Sequence, residues 1–354
     1  MLGAGRRDDD DGGTVAVCRA TTIAEVRDPM FLPKHPVRSA ARALRVLASP
    51  TRPVLAQMVV TRRCNLACGY CNEYDAVSAP VPTQTLLRQV DMLAQMGTLT
   101  VTLTGGEPLL HPDLDEIIRR VVERGMVCTA ITNAYPLTSK WIERLNRSGL
   151  TLMQVSIDNV EPNDKSQKSW SKLKPRLQLM RDEATFAINV NAVLGSCPPE
   201  QTRQVVREAK EMGFFMTVGL MHDDHGQIDP GLAGDQLRAL YEEMQDNSRK
   251  SLLHRAGEGW EGSMIQNGVA RWKCRAGAKY LYVDEFGKVS YCSQRRGEPG
   301  IPLLEYSNSD ALAAFHTPKG CEDKCTLGCV RRASAFDQWR GQKGPHRGVA
   351  VRST

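Results

Sequence analysis

Three cysteines fall within eight residues, Cys64-Asn-Leu-Ala-Cys68-Gly-Tyr-Cys71. A loop this short can aim three thiolates at one iron–sulfur cluster, one for each of three irons. The fourth iron then lacks a protein ligand, and a molecule bearing an amine and a carboxylate can chelate it. The same residues also suit a zinc site, where Cx2C pairs recur, or an electron-transfer cluster whose fourth ligand lies elsewhere. A second set stands near the C-terminus. Cys274 and Cys292 enclose a Gly287-x4-Cys292 step, and Cys321, Cys325 and Cys329 follow at x3 spacing. A zinc ribbon with four cysteine ligands is the alternative reading of this set. Cys18, Cys128 and Cys197 stand alone, and lone cysteines are expected as small buried hydrophobes.

Other polar groups recur where strands end. Gly105-Gly106-Glu107-Pro108 pairs two glycines, which let the backbone approach a ligand and reach positive φ, with a proline that fixes the exit. Alone, such a run is a turn entering a helix. Ser156 and Asp158 offer a hydroxyl and a carboxylate for ribose hydroxyls, although Asp158 also suits a helix cap. Asn191 sits inside an apolar run, where asparagine is uncommon. Thr132-Asn133 ends another strand. His222, Asp223, Asp224 and His225 can bind substrate or shuttle protons, or form a plain polar loop.

The elements that must position these groups alternate in type. Strands are expected at 55–60, 99–104, 127–132, 151–157, 185–194 and 214–220. Helices are expected at 83–96, 111–124, 138–148, 170–182, 199–212 and 232–246. Apolar strands alternating with helices imply an α/β fold, a parallel sheet covered by helices, closed or half closed as a TIM-like barrel. Chemistry in such barrels sits on the loops after the strands, where both the Cys64 group and the Gly105 loop fall. Residues 1–53 read as a disordered tail followed by a basic amphipathic helix at 34–48. Residues 54–248 form the barrel, 249–270 a linker, 271–340 a Cys-rich extension with a hairpin around Glu285-Phe286-Gly287, and 341–354 a tail.

CxxxCxxC with an aromatic before its last cysteine resembles the radical S-adenosylmethionine (SAM) signature, and the 105–108 run resembles the GGEP motif of that superfamily. The resemblance implies a partial (β/α)6 barrel and a SAM-binding 4Fe–4S cluster on Cys64, Cys68 and Cys71. It implies SAM contacts from Gly105, Gly106, Glu107, Pro108, Ser156, Asp158 and Asn191, with Tyr70 beside the adenine. Reductive cleavage of SAM would give a 5′-deoxyadenosyl radical that takes hydrogen from an unactivated C–H bond. The C-terminal set resembles the start of SPASM and twitch extensions, but five cysteines replace the seven of the full SPASM pattern. One auxiliary 4Fe–4S cluster is therefore expected, on Cys274, Cys292 and Cys329, with Cys325 or Cys321 as the fourth ligand.

Bulk properties set further bounds. The chain has 354 residues, 11 cysteines and a net charge of +6. That charge is too small to argue for nucleic acid. No apolar stretch reaches about 18 residues and no secretory signal is evident, so a cytoplasmic enzyme is expected. A flavodoxin or ferredoxin is the expected reductant. No winged-helix peptide-recognition unit is evident before residue 54, which shifts the expected substrate from a peptide toward a small molecule or lipid. The basic helix at 34–48 suits either an anionic membrane surface or the N-terminal end of the barrel. The competing function is a non-catalytic iron–sulfur or zinc protein, for electron transfer or binding.

Overall fold

A computed structural model describes residues 36–223, 225–229, 232, 235–246 and 260–341. Six strands alternate with helices: β1 (Leu55–Thr61), α2 (Thr83–Gln95), β2 (Thr100–Gly105), α3 (Leu114–Glu123), β3 (Val127–Thr132), α4 (Ser139–Ser148), β4 (Leu152–Ser156), α5 (Trp170–Glu183), β5 (Ala187–Leu194), α6 (Pro199–Glu211), β6 (Phe215–Leu220) and α7 (Asp235–Asp246). Helix α1 (Pro36–Ala48) precedes them. Strands β1 to β6 pair in parallel, in sequence order, as in a partial TIM-like barrel.

The residue pattern explains this order. Every residue of β1 after Leu55 is buried, which suits a central parallel strand covered on both faces. Helix α3 buries Leu114, Ile117, Ile118, Val121 and Val122, a stripe at helical spacing that packs on the sheet. Helix α4 begins where the Thr138 hydroxyl accepts from the Trp141 N–H, and ends at Gly149, whose φ of 87° suits a glycine cap. The expected strands and helices lie within a few residues of the observed ones.

The C-terminal segment is more continuous with the barrel than an appended extension. Strand β7 (Tyr280–Val283) pairs in parallel with β1, and β8 (Lys288–Ser290) and β9 (Pro299–Pro302) follow antiparallel in the same nine-stranded sheet. Gly287, at φ 75°, closes the expected hairpin. The span expected as a linker also needs correction. Its residues Trp260–Asn267 form helix α8, because Met264 and Ile265 supply an apolar pair that is fully buried. Helices α9 (Asn308–His316) and α10 (Gly328–Ala335) complete the segment. The expected tail at 1–13 and, apart from Gly341, the expected tail at 341–354, together with Cys18 and Asp224, lie outside the described residues.

Helix α1 takes the second of its two expected placements. The Arg42 guanidinium donates to the carbonyls of Ala94 and Thr98 at the end of α2, and of Arg124 at the end of α3. A cation at helix C-termini satisfies carbonyls left without intrahelical partners. Lys279 donates to the Val46 carbonyl at 2.6 Å and pairs with the buried Asp337 at 3.1 Å, joining α1 to the C-terminal segment. Among the described residues no helix is long and apolar enough to cross a membrane. We expect Arg42→Ala to lower stability in urea unfolding by about 1–3 kcal/mol, the scale for charged hydrogen bonds. A change under about 0.5 kcal/mol, typical of plain surface substitutions, would contradict this placement.

Candidate active site

The C-terminal ends of the strands open onto a cavity of about 310 Å³. Cys64, Cys68 and Cys71 line it together with Gly105, Gly106, Ser156, Asp158, Asn191 and Tyr70. These sequence-expected groups, spread over several strand ends and loops, thus meet in one place, whereas Glu107 and Pro108 are buried and do not line the cavity.

The cysteine loop is fixed at its base by backbone contacts. Cys64 N–H donates to the Asp75 carbonyl and Asp75 N–H to the Arg62 carbonyl, both at 2.9 Å, so residues 62–75 close as a ring. Inside it, Cys71 N–H donates to the Cys68 carbonyl at 3.1 Å. Among the described residues no group of three or more His, Cys, Asp or Glu converges to hold one metal ion. Three sulfurs spread around one cavity instead suit a cubane, which takes one thiolate on each of three irons. Burial raises the Cys64 and Cys71 thiols. Deprotonation at such sites is coupled to the arrival of metal charge.

The two glycines line the cavity and also meet a packing constraint. A Cβ on Gly105 would lie 2.1 Å from the Thr61 carbonyl oxygen, and one on Gly106 would lie 2.3 Å from that of Arg62 and 2.4 Å from that of Arg63. Only glycine lets the end of β2 pack on the chain that leads into Cys64. Gly106 N–H donates to Thr61 at 2.8 Å and Glu107 N–H to Arg63 at 2.9 Å.

Glu107 is fully buried. Its Oε1 accepts from Leu109 N–H (2.9 Å) and the Thr132 hydroxyl (2.6 Å), and its Oε2 from Asn133 N–H (2.7 Å). The carboxylate therefore binds the end of β3 rather than standing free. Asn133 in turn donates from Nδ2 toward Cys64 Sγ at 3.6 Å and to Asn65 at 2.9 Å. Burial pushes the Glu107 carboxyl up to about 7, against the three hydrogen bonds that lower it.

Across the cavity, Asp158 is also fully buried. Its Oδ2 accepts from the Tyr70 hydroxyl and the Ser166 hydroxyl, each at 2.7 Å, and pairs with the Lys168 ammonium at 3.2 Å. Its Oδ1 has no partner among the described residues. The Lys168 ammonium also bonds the Tyr70 hydroxyl and lies 4.8 Å from the centre of its ring. Burial disfavours that ammonium, yet Asp158 and the other acidic groups around it, Tyr70 and Cys68, together outweigh burial and hold the group well above the usual lysine range. Ser156 pairs in register with Asn191, whose Oδ1 accepts from the Thr217 hydroxyl at 2.8 Å. Lysine in the stretch between Asp158 and helix α5 carries no motif, so nothing in the sequence marked Lys168.

Of the β6 loop, His222 lines the cavity, with Nδ1 2.8 Å from the Asp223 carbonyl oxygen, while Asp223 and His225 are exposed. Cys128 is fully buried, as expected for a lone cysteine. The C-terminal set divides. Cys325 is raised by burial and then by the charges of Cys274, Cys292 and Cys321, so these four share one neighbourhood. Burial raises Cys274 to about 11 and Cys292 to about 12. Cys329, expected with them, lines the main cavity instead, with Sγ 3.8 Å from the Tyr280 hydroxyl and 4.0 Å from Gln57 Oε1. It lies in the first turn of helix α10, which sets its sulfur beside Gln57 of β1 and Tyr280 of β7.

The Radical SAM superfamily model matches residues 58–226. An AdoMet-dependent heme synthase of Methanosarcina barkeri is 26% identical over 334 residues, covering 82% of this chain and 95% of the relative. A PqqA peptide cyclase of Granulibacter bethesdensis is 30% identical over 176 residues, and the match covers 48% of this chain and 46% of that protein. The chain thus matches less than half the length of the cyclase. Streptococcus suis SuiB bound to S-adenosylmethionine shares the fold at a TM-score of 0.57, with 19% identity over 85% of this chain and 76% of SuiB. The anSMEcpe structure with bound AdoMet and Cp18Cys peptide gives 0.52, with 14% identity over 81% of this chain and 95% of that one.

A titration tests the Glu107 environment. A carboxyl raised in the folded state from 4.5 to about 7 contributes stability fully below pH 4.5, and loses it as pH rises through 7. In cluster-free protein, wild-type stability relative to Glu107→Gln should fall over that window, on the order of 3 kcal/mol in all. A pH-independent difference would contradict the assignment.

Proposed function

We propose that the chain is a radical SAM enzyme acting on an unidentified substrate, its residues 58–226 matching that superfamily's model, and that Cys64, Cys68 and Cys71 hold the SAM-binding 4Fe–4S cluster. The observation that carries the reading is that Cys64, Cys68, Cys71 and Asp158 line one cavity, with the buried Asp158 Oδ1 left without a partner among the described residues. The donors fit the group: three soft thiolates for three irons, a free acceptor for a nucleoside hydroxyl, and an ammonium, Lys168, for an anionic group. When bound, the reduced cluster and SAM supply a 5′-deoxyadenosyl radical able to take hydrogen from a C–H bond.

The chain's own residues orient and shield that chemistry. Asp158 Oδ1 accepts from a ribose hydroxyl, with Ser156 and Asn191 beside it, and Tyr70 packs near the adenine. Gly105, Gly106 and Pro108 shape the strand end that SAM rests on. Glu107, whose oxygens already accept from the chain's own donors, holds that strand end and Asn133 in place. A reductant is required, and a flavodoxin or ferredoxin fits that role. The substrate is a peptide or a small molecule. The similarity to a peptide cyclase and to a heme synthase supports either class. Membrane contact through α1 gains no support from Arg42, which is bonded to the ends of α2 and α3. The reading as a non-catalytic metal protein leaves Asp158 Oδ1, which has no partner among the described residues, without a purpose.

We assign one auxiliary cluster to Cys274, Cys292, Cys321 and Cys325, leaving Cys329 out. Four protein ligands close that cluster, which suits electron relay better than substrate binding. Anaerobically reconstituted protein with dithionite and SAM should form 5′-deoxyadenosine, and Cys68→Ala should abolish it. Well-loaded wild-type protein that forms none would count against the enzyme. Iron counting should give about eight irons per chain for two cubanes. Cys321→Ser should lose about four irons and Cys329→Ser none, by the same ligand count. The opposite pattern would return Cys329 to the auxiliary set.

A further inference from the structure

We propose that Ser166 links SAM occupancy of the cavity to the reduction potential of the cluster, by sharing its single hydroxyl proton between Asp158 and the Cys68 sulfur. The inference rests on the proposed ligation of the cluster by Cys68. It adds a positioning residue that lies in no motif, on the loop between β4 and α5.

The loop is built to present that hydroxyl. Asn163 Oδ1 accepts from the N–H groups of Lys165 (3.0 Å) and Ser166 (2.8 Å), and Asn159 Nδ2 donates to the Ser166 carbonyl at 2.9 Å. The Lys165 carbonyl accepts from Gly69 N–H at 3.0 Å, so the loop is clamped to the cysteine loop beside Cys68. Ser166 is fully buried, and its Oγ lies 3.8 Å from Cys68 Sγ and 2.7 Å from Asp158 Oδ2.

One proton thus has two acceptors. Asp158 Oδ2 is also served by Tyr70 and Lys168, whereas a cluster-bound sulfur at Cys68 has Ser166 as its side-chain contact. A ligand hydroxyl donating to the free Asp158 Oδ1 withdraws charge from the carboxylate and weakens the hold of Oδ2 on Ser166. The hydroxyl then donates more strongly to sulfur. Hydrogen bonds to cluster sulfurs raise the potential. Nucleotide binding at Asp158 therefore makes the cluster easier to reduce through Ser166, and the Lys168 ammonium acts in the same direction in both states.

The test is a potentiometric titration of the reconstituted full chain followed by electron paramagnetic resonance, with and without SAM, on the signal that SAM perturbs. Ser166→Ala should load iron as wild type does and show a more negative midpoint. The gap from wild type should be larger with SAM present, and Ser166→Thr should close it. Lys168→Met should shift the midpoint negative with and without SAM. Coincident midpoints for wild type and Ser166→Ala, with and without SAM at equal iron content, would overturn the proposal. If Ser166→Ala fails to load, wild-type protein exchanged into D2O decides: an exchangeable-deuteron coupling to the reduced cluster that grows on adding SAM supports the proposal, and one that SAM leaves unchanged overturns it. A wild-type protein that binds no SAM-responsive cluster would instead sink the ligation reading on which the proposal rests.

Discussion

The close packing of β2 on the exit of β1 governs the site. Gly105 and Gly106 press against the carbonyls of Thr61, Arg62 and Arg63, at distances where no side chain fits. Those residues lead directly into Cys64, so the position of the cysteine loop is set by backbone contact with its neighbour strand. Glu107 extends the constraint by one more strand, since its buried carboxylate gathers the N–H of Asn133, which itself reaches Cys64. Two strand ends thus hold one face of the cysteine loop. The β4–α5 loop holds the other through Gly69 and Ser166.

Much of this was legible in the sequence, because the signals were local. Apolar strands alternating with amphipathic stripes, such as Leu114, Ile117, Ile118 and Val121, fix the parallel sheet and its order. Cysteine spacing marks the loop after β1. What stayed hidden depends on contacts distant in sequence. Ser166 and Lys168 are ordinary loop residues until folding sets them against Cys68 and Tyr70, each 98 positions earlier. The glycine motif suggests room for a ligand but not the close contacts of Gly105 and Gly106 with Thr61, Arg62 and Arg63, which only the folded chain brings together. Helix α8 escaped notice because one buried pair, Met264 and Ile265, is too short a pattern to mark a helix.

Cys329 shows the limit of counting ligands. Its spacing after Cys325 equals that of Cys325 after Cys321, so sequence places all three alike. The chain enters helix α10 at Gly328, and the helical direction turns Cys329 to the main cavity. The four cysteines left behind are the ligands proposed for the auxiliary cluster. The continuity of β7 with β1 puts that set on the same sheet as the cysteine loop.

The central claim is that three sulfurs leave one iron open to SAM. Pulsed hyperfine spectroscopy of the reduced, oxygen-free protein with SAM labelled by 15N in its amino group and 17O in its carboxylate measures this directly. The account predicts that both labels couple to the cluster held by Cys64, Cys68 and Cys71. Absence of either coupling, in protein shown to bind both iron and SAM, would contradict it.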